Sequence, residues 1–145
     1  MNFQSLVMNV SNLDQSIEFY RDVFGFTLLS RRDQLAAVRA PRTEQPQVIV
    51  LRAFGTSGRG GGARHVGIRA LVLEVDSVSE LDEIEQALEQ RQSLGRKLTD
   101  NANWRAVLGY DPDRIAVVAG SALGPGPITH DSWAALDESL YGIGE

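Results

Sequence analysis

The chain has 145 residues, which is near the usual size of one domain and long enough to bury a hydrophobic core. Hydrophobic residues make up 43% and charged residues 23%, a balance typical of globular rather than disordered or fibrous proteins. The net charge of −5 argues against nucleic acid as a partner, and the absence of cysteine excludes disulfides, thiolate metal sites and a cysteine nucleophile.

The start of the chain, residues 1–4, lacks the basic stretch and the long apolar run of a signal peptide. No segment approaches the roughly 20 apolar residues that span a bilayer. We therefore expect a cytoplasmic protein without a membrane partner.

A strand, a helix and three more strands are predicted in the first half. Residues 3–10 have the composition of a largely buried strand. A helix begins after Asn12, whose side chain can accept from exposed amides while Gln15 reaches back, as in a capping box. Gly25 ends this helix in the position that favours a left-handed residue. Its apolar residues fall on one stripe: Leu13, Ile17, Tyr20 and Phe24. The three strands are predicted at 26–31, 35–39 and 46–53.

The same order of elements is predicted again after a glycine-rich segment, 55–65, which has no periodicity and indicates a flexible linker. A strand at 66–75 leads into a helix capped by Ser77 and Glu80. The apolar stripe of this helix consists of Val78, Leu81, Ile84 and Leu88. The last strands are predicted at 95–99, 104–110 and 114–119, with a turn at 111–113.

The two halves repeat each other at a nearly constant offset. The caps Asn12 and Ser77 are 65 residues apart, and the strand segments that begin at Ile49 and Ile115 are 66 apart. We therefore predict a single α+β domain, residues 1–145, built from two strand–helix–strands modules. The predicted modules cover 3–54 and 66–120, and a short C-terminal helix is predicted at 128–142 as a docking face for the core or a partner subunit.

Three segments resemble one known superfamily. The most specific is Phe19–Phe26, which reads Phe-Tyr-Arg-Asp-Val-Phe-Gly-Phe. The others are Glu74–Asp76 before the second helix and Asp111–Ile115, which looks like a shortened turn into the last strand. They are similar to the glyoxalase/bleomycin resistance protein/extradiol dioxygenase proteins, the vicinal oxygen chelate superfamily. The resemblance implies two βαβββ modules whose curved mixed sheets enclose a ligand cavity, and a homodimer.

The resemblance also implies a divalent metal that is held by His and Glu side chains at four strand positions. These positions correspond to Ser5 and Val50 in the first module and to Ala70 and Ala116 in the second. A hydroxyl group and three alkyl groups cannot hold Mg²⁺, Zn²⁺ or Fe²⁺. We therefore expect no metal and no cofactor, and metal-dependent glyoxalase or dioxygenase activity is disfavoured.

Alternation along the strands predicts an inner surface that is mainly apolar with a few polar groups, as in small-molecule pockets. Arg52 and Glu74 are candidates to bind a polar ligand group or to form a structural ion pair, and the ion pair is preferred. Trp104 and Tyr110 are candidates to stack on an aromatic ligand or to pack in the core. The predicted ligand-binding residues are Ser5, Asn9, Val50, Arg52, Ala70, Glu74, Trp104, Tyr110 and Ala116.

Three functions remain open. The first is a metal-independent, bleomycin-resistance-like protein that binds a small molecule, aromatic or cationic, in the cavity between the modules. The second is a metal-free enzyme, such as an isomerase or lyase, acting on a small carbonyl or natural-product substrate with Glu74, His65 or His130 as the acid or base. The third is an accessory subunit whose C-terminal helix docks a partner.

Overall fold

The computed structural model describes residues 5–41, 44, 47–54, 70–100 and 103–124. The order βαβββ occurs twice, and the predicted α+β class with two mixed sheets is confirmed. The elements are β1 (Ser5–Val10), α1 (Leu13–Phe24), β2 (Thr27–Arg32), β3 (Leu35–Arg39), β4 (Val48–Ala53), β5 (Ala70–Glu74), α2 (Val78–Gln90), β6 (Leu94–Asp100), β7 (Trp104–Tyr110) and β8 (Ala116–Ala122).

The chain divides into two compact units, one around each sheet. The first unit comprises Met1–Gly60 and Asp111–Asp113, and the second comprises Gly61–Tyr110 and Arg114–Glu145. The first sheet has the strand order β1-β4-β3-β2 and the second has β5-β8-β7-β6. In each sheet the first and last strands of the module are parallel and the other pairs are antiparallel.

Helix α1 begins and ends where the sequence predicts. The Asn12 side chain accepts from the Gln15 amide at 3.0 Å, and Gly25 closes the helix with φ of 71°. A left-handed residue at this position suits glycine because glycine has no Cβ. The predicted stripe is buried, and Phe19 joins it with its ring edge-on to that of Tyr20 at 5.3 Å. Burial of these aromatic side chains fixes α1 on the first sheet.

A hydrogen-bond network, buried at Tyr20 and exposed at Ser11, joins the β7–β8 turn to α1 and to the residue that precedes its cap. The Tyr20 hydroxyl donates to Asp111 Oδ2 at 3.1 Å, and the Asp113 amide donates to Asp111 Oδ1 at 2.9 Å. The Ser11 amide in turn donates to both Asp113 carboxylate oxygens, at 3.0 and 3.1 Å. Burial, followed by the neighbouring Asp111 charge, raises the pKa of Tyr20 far above its usual value. Tyr20 is therefore a neutral structural donor.

Helix α2 packs on the second sheet through Leu81, Ile84 and Leu88. The Ser77 side chain accepts from the Glu80 amide at 3.1 Å, so the predicted cap is confirmed. On β7, a Cβ at Gly109 would lie 2.5 Å from the Leu88 side chain, so glycine permits the close approach of helix and sheet.

Charged side chains flank the contact between α2 and the second sheet. Glu85 accepts from Lys97 at 2.5 Å and from Arg105 at 2.9 Å, and these partners, with Lys97 the stronger, hold the pKa of Glu85 below its usual value.

The last strand begins later than predicted. Residues 114–119 were expected to be extended, but Arg114 has φ of 64° and β8 begins at Ala116. A left-handed residue interrupts an extended strand, which explains the shift.

The predicted linker, the C-terminal helix, His65 and His130 lie outside the described residues. No described helix has both the length and the apolar character needed to cross a membrane.

Candidate ligand-binding face

The second sheet has one face packed against α2 and one face turned away from it. Gly109 and Arg105 on β7 contact α2, so the alternate residues of β7 and their cross-strand partners lie on the opposite side. We call this side the helix-free face of the second sheet. Its residues on β5, β7 and β8 are Ala70, Val72, Glu74, Trp104, Ala106, Leu108, Tyr110, Ala116, Val118, Gly120 and Ala122.

Small apolar residues dominate the helix-free face. Its centre, around Ala106 and Val118, is fully buried. Its β5 margin is accessible, because Val72 is 45% exposed and Glu74 is exposed. An apolar surface with an accessible margin can contact the apolar part of a small molecule at that margin.

Polar groups lie at both ends of the helix-free face. Glu74 ends β5, and Tyr110 ends β7 beside Ala116, which in turn pairs with Ala70. Glu74 and Ala70 are separated by four residues of strand, about 13 Å. The two ends can therefore contact different parts of one ligand.

The positions that the resemblance assigns to metal ligands lie on the helix-free face of the second sheet and on the side of the first sheet opposite the buried Met8 and Leu51, which we call the helix-free face of the first sheet. Ala70 and Ala116 are direct cross-strand partners. In the first sheet, Ser5 lies opposite Val48, while Val50 lies opposite Val7, so Ser5 and Val50 share a face but are offset along it. Among the residues that the structure describes, no three His, Cys, Asp or Glu side chains are grouped so as to hold a metal ion. The residues at these positions do not fit the metal that the family commonly uses.

The corresponding face of the first sheet is more exposed. Val7 is 60% exposed, and Asn9 and Arg52 are exposed cross-strand partners near the ends of β1 and β4. This sheet therefore brings Ser5, Asn9, Val50 and Arg52 onto one surface, as alternation predicted. Ligand binding by these residues, and the alternative ion pair of Arg52 with Glu74, stay predictions.

Trp104 and Tyr110 lie at opposite ends of β7. Six residues of extended strand separate them, roughly 20 Å, so one small aromatic ring cannot contact both. Trp104 is only 3% exposed and belongs to the buried apolar cluster of the second sheet. Its indole N–H is buried without a hydrogen-bond partner in the structure as described. Tyr110 is half-buried at the edge of the same cluster and is the better placed of the two to meet a ligand.

Two residues beside Tyr110 were not anticipated from the sequence. A Cβ at Gly95 would lie 2.8 Å from the Tyr110 ring, so glycine makes room for the ring. The exposed Arg114 guanidinium lies over that ring, 5.4 Å from its centroid. The signal for Arg114 was its place directly after Asp-Pro-Asp, where a tight turn favours a left-handed residue.

Comparison with known proteins agrees with this architecture. The family model of the Glyoxalase/Bleomycin resistance protein/Dioxygenase superfamily matches residues 2–118. The chain belongs to this superfamily. No curated protein matches the sequence at a significant level.

Solved structures of the same fold are numerous. A glyoxylase/bleomycin resistance protein/dioxygenase domain from Frankia sp. EAN1pec has a TM-score of 0.71 at 20% identity, covering 90% of this chain and 98% of that one. A lactoylglutathione lyase from Agrobacterium tumefaciens has a TM-score of 0.61 at 20% identity, covering 83% and 92%. The fosfomycin resistance protein FosX from Listeria monocytogenes has a TM-score of 0.66 at 11% identity, covering 91% and 97%. At these identities the likeness establishes the fold alone.

Proposed function

We propose that the protein binds a small organic molecule on its helix-free faces without using a divalent metal. The observation that supports this is the chemistry at the four strand positions that the resemblance assigns to metal ligands. Ser5, Val50, Ala70 and Ala116 occupy the faces on which family members commonly hold a metal, and they supply one hydroxyl group and three alkyl groups.

The helix-free face of the second sheet favours an apolar or aromatic ligand. The accessible part of its apolar area lies on β5, where Val72 is exposed and Ala70 is half-buried, and Glu74 and Tyr110 offer polar contacts at its two ends. The mixture of apolar lining and a few polar groups is typical of small-molecule sites. The similar structures include both a lyase and a resistance protein, so the fold by itself does not choose between turnover and sequestration.

Binding of a neutral aromatic probe tests the proposal. We expect 2-naphthamide to bind the purified protein in isothermal titration calorimetry, with the same affinity before and after dialysis against EDTA. A loss of binding after EDTA that zinc or magnesium restores would contradict metal independence.

A blocking variant locates the site of binding. Val72→Trp places a large side chain on the accessible margin of the helix-free face, at a position exposed enough to leave the fold intact. We expect the indole to occupy the place of the ligand and to weaken 2-naphthamide binding by at least about tenfold. A tenfold loss of affinity corresponds to about 1.4 kcal/mol of lost binding free energy. Gln86→Trp, on the exposed side of α2, is the matched control and should leave the affinity unchanged. Equal affinities in the two variants would place binding elsewhere.

A metal-free enzyme is the second candidate, because Glu74 presents an exposed carboxylate on the same face. Turnover of a carbonyl substrate with a bell-shaped pH profile, lost in Glu74→Gln, would favour it over simple binding. Turnover that is unchanged in Glu74→Gln would remove this residue as the acid or base. The homodimer, the cytoplasmic location and the docking role of the C-terminal helix stay predictions.

A further inference from the structure

We propose that Arg114 and Tyr110 form an anion-recognition site at one end of the helix-free face of the second sheet, and that it selects ligands with a carboxylate attached to an aromatic or apolar body. This inference rests on the proposed function, because it assigns a chemical class to the ligand of the same face. It goes further in naming the residue that selects this class.

The position of the guanidinium is the first observation. Tyr110 packs against the apolar cluster of the helix-free face, and Arg114 lies over its ring, 5.4 Å from the centroid. The tyrosine pairs across strands with Ala116, and Ala116 pairs with Ala70. An arginine at this place sits at the end of an apolar surface, where an amphipathic acid would present its carboxylate.

The backbone of Arg114 is the second observation. Its φ of 64° lies in the left-handed region, where glycine is favoured because the Cβ of any other residue is strained. Strain of this kind is concentrated at functional sites. A glycine here would satisfy the turn but would leave the Tyr110 end of the face without a cation.

The donors of Arg114 are available. Within the described part of the chain Arg114 forms no ion pair, whereas Arg31 and Arg105 each bind an acidic side chain. Glu74 on the same face lies at the other end, about 13 Å along the strands, which exceeds the screening length of about 8 Å at physiological salt. A guanidinium with free donors binds a carboxylate through two parallel hydrogen bonds.

A pair of probes that differ only in charge separates this inference from the proposed function. Binding of 2-naphthoate and 2-naphthamide is measured by isothermal titration calorimetry on the full-length protein. We expect 2-naphthoate to bind about tenfold more tightly than the neutral amide, because hydrogen bonds to charged groups are roughly twice as strong as neutral ones. The preference should shrink as sodium chloride is raised.

Two variants assign the preference to Arg114. Arg114→Gln removes the charge and keeps a long side chain, and Arg114→Gly removes the charge while relieving the backbone, so the two variants perturb the turn in different ways. In both, 2-naphthoate should lose its advantage while 2-naphthamide keeps its affinity. Arg21→Gln, which removes the same charge from α1, is the matched control and should retain the preference.

The outcomes distinguish the two proposals. If 2-naphthamide binds and 2-naphthoate is not preferred, or if the preference survives in Arg114→Gln and Arg114→Gly, the anion site is overturned and the binding function stands. If neither compound binds, both proposals are overturned. A preference that is present in the unmodified protein and in Arg21→Gln but lost in both Arg114 variants supports the site.

Discussion

The buried Ser16 side chain lowers the stability of the fold. Its hydroxyl is fully buried on α1 and has no hydrogen-bond partner among the described residues. Ser16→Ala removes an unsatisfied polar group and places the best helix former in the helix, so we expect the free energy of unfolding to rise by about 1 kcal/mol. Urea denaturation measures the change. Ser79→Ala, at an exposed position of α2, should gain only the helix-propensity part, and an equal gain in both variants would contradict the explanation.

Tyr20 shows the opposite case, a buried hydroxyl group that is satisfied by a carboxylate. Tyr20→Phe removes the donor to Asp111, and we expect the free energy of unfolding to fall by about 1.5–3 kcal/mol, the range for hydrogen bonds to charged groups. Tyr110→Phe is the matched control, because the Tyr110 hydroxyl forms no hydrogen bond within the described residues and its loss should change stability little. Equal losses in the two variants would argue against the Tyr20–Asp111 bond as the cause.

The raised pKa of Tyr20 also makes the stability of the protein depend on pH. The folded state raises the pKa of Tyr20, so it holds the phenol proton more tightly than the unfolded chain does. The corresponding stability is fully present below the unfolded pKa of about 10 and decreases above it, by up to about 1.4 kcal/mol per pH unit. Urea midpoints at about pH 8 and about pH 11 should therefore differ less in Tyr20→Phe than in the unmodified protein or in Tyr110→Phe. An unchanged alkaline loss in Tyr20→Phe would contradict this assignment.

At the level of elements, the distance between α2 and its sheet depends on a missing side chain. A Cβ at Gly109 would lie 2.5 and 2.8 Å from the two terminal carbons of Leu88, a side chain that is itself fully buried. We expect Gly109→Ala to destabilise the protein by about 1–3 kcal/mol, as overpacked cores do. Thermal or urea unfolding measures the loss.

A second substitution shows whether Leu88 is the cause of that loss. Adding Leu88→Ala to Gly109→Ala frees the space, so the double variant should be more stable than the sum of the single changes predicts. Gly124→Ala is the control, since a Cβ there meets nothing within 4 Å. Additive losses in the double variant would contradict direct contact.

The elements themselves were largely readable from the sequence. Caps at Asn12 and Ser77 predicted where both helices begin, Gly25 predicted where α1 ends, and the apolar stripes predicted the buried sides, because capping and periodicity are local properties. The start of β8 was predicted too early, because the apolar run after Arg114 favours a strand and the turn signal of the preceding Asp-Pro-Asp was not applied to Arg114. Strand alternation predicted which residues share a face, and the register bears this out for Ser5, Asn9, Val50 and Arg52.

At the level of the whole molecule, the repeat predicted the scaffold better than it predicted the site. The offset between modules suggested that Ser5 and Val50 are related as Ala70 and Ala116 are, yet only the second pair lies directly across strands. Register depends on loops and bulges, which a sequence repeat does not specify. The contact of Arg114 with Tyr110 could not be predicted from the sequence either, because it depends on the backbone conformation of Arg114 and on the space that Gly95 leaves for the Tyr110 ring.

The turn between β7 and β8 connects two strands of the second sheet through residues that belong to the first compact unit. Asp111–Asp113 follows a strand of the second sheet but belongs to the first compact unit, where it binds Tyr20 and the Ser11 amide. The first unit therefore completes its hydrogen bonds only when this turn is formed. Asp111→Ala leaves the buried Tyr20 hydroxyl without its acceptor and the Asp113 amide without its partner.

Hydrogen exchange measured strand by strand tests this role of the turn. We expect Asp111→Ala to reduce the protection of amides in β1 and β4 by about ten- to a hundredfold. Loss of the buried bond from Tyr20 and the partly buried bond from the Asp113 amide corresponds to a few kcal/mol, and each 1.4 kcal/mol is about tenfold. Amides in β8 should lose less, because its ladders with β5 and β7 do not use the turn's side chains. Asp14→Ala, which removes only an exposed ion pair with Arg31, should leave both sheets protected. An equal loss in both sheets of Asp111→Ala would show that the turn stabilises the molecule as a whole and has no selective effect on the first unit.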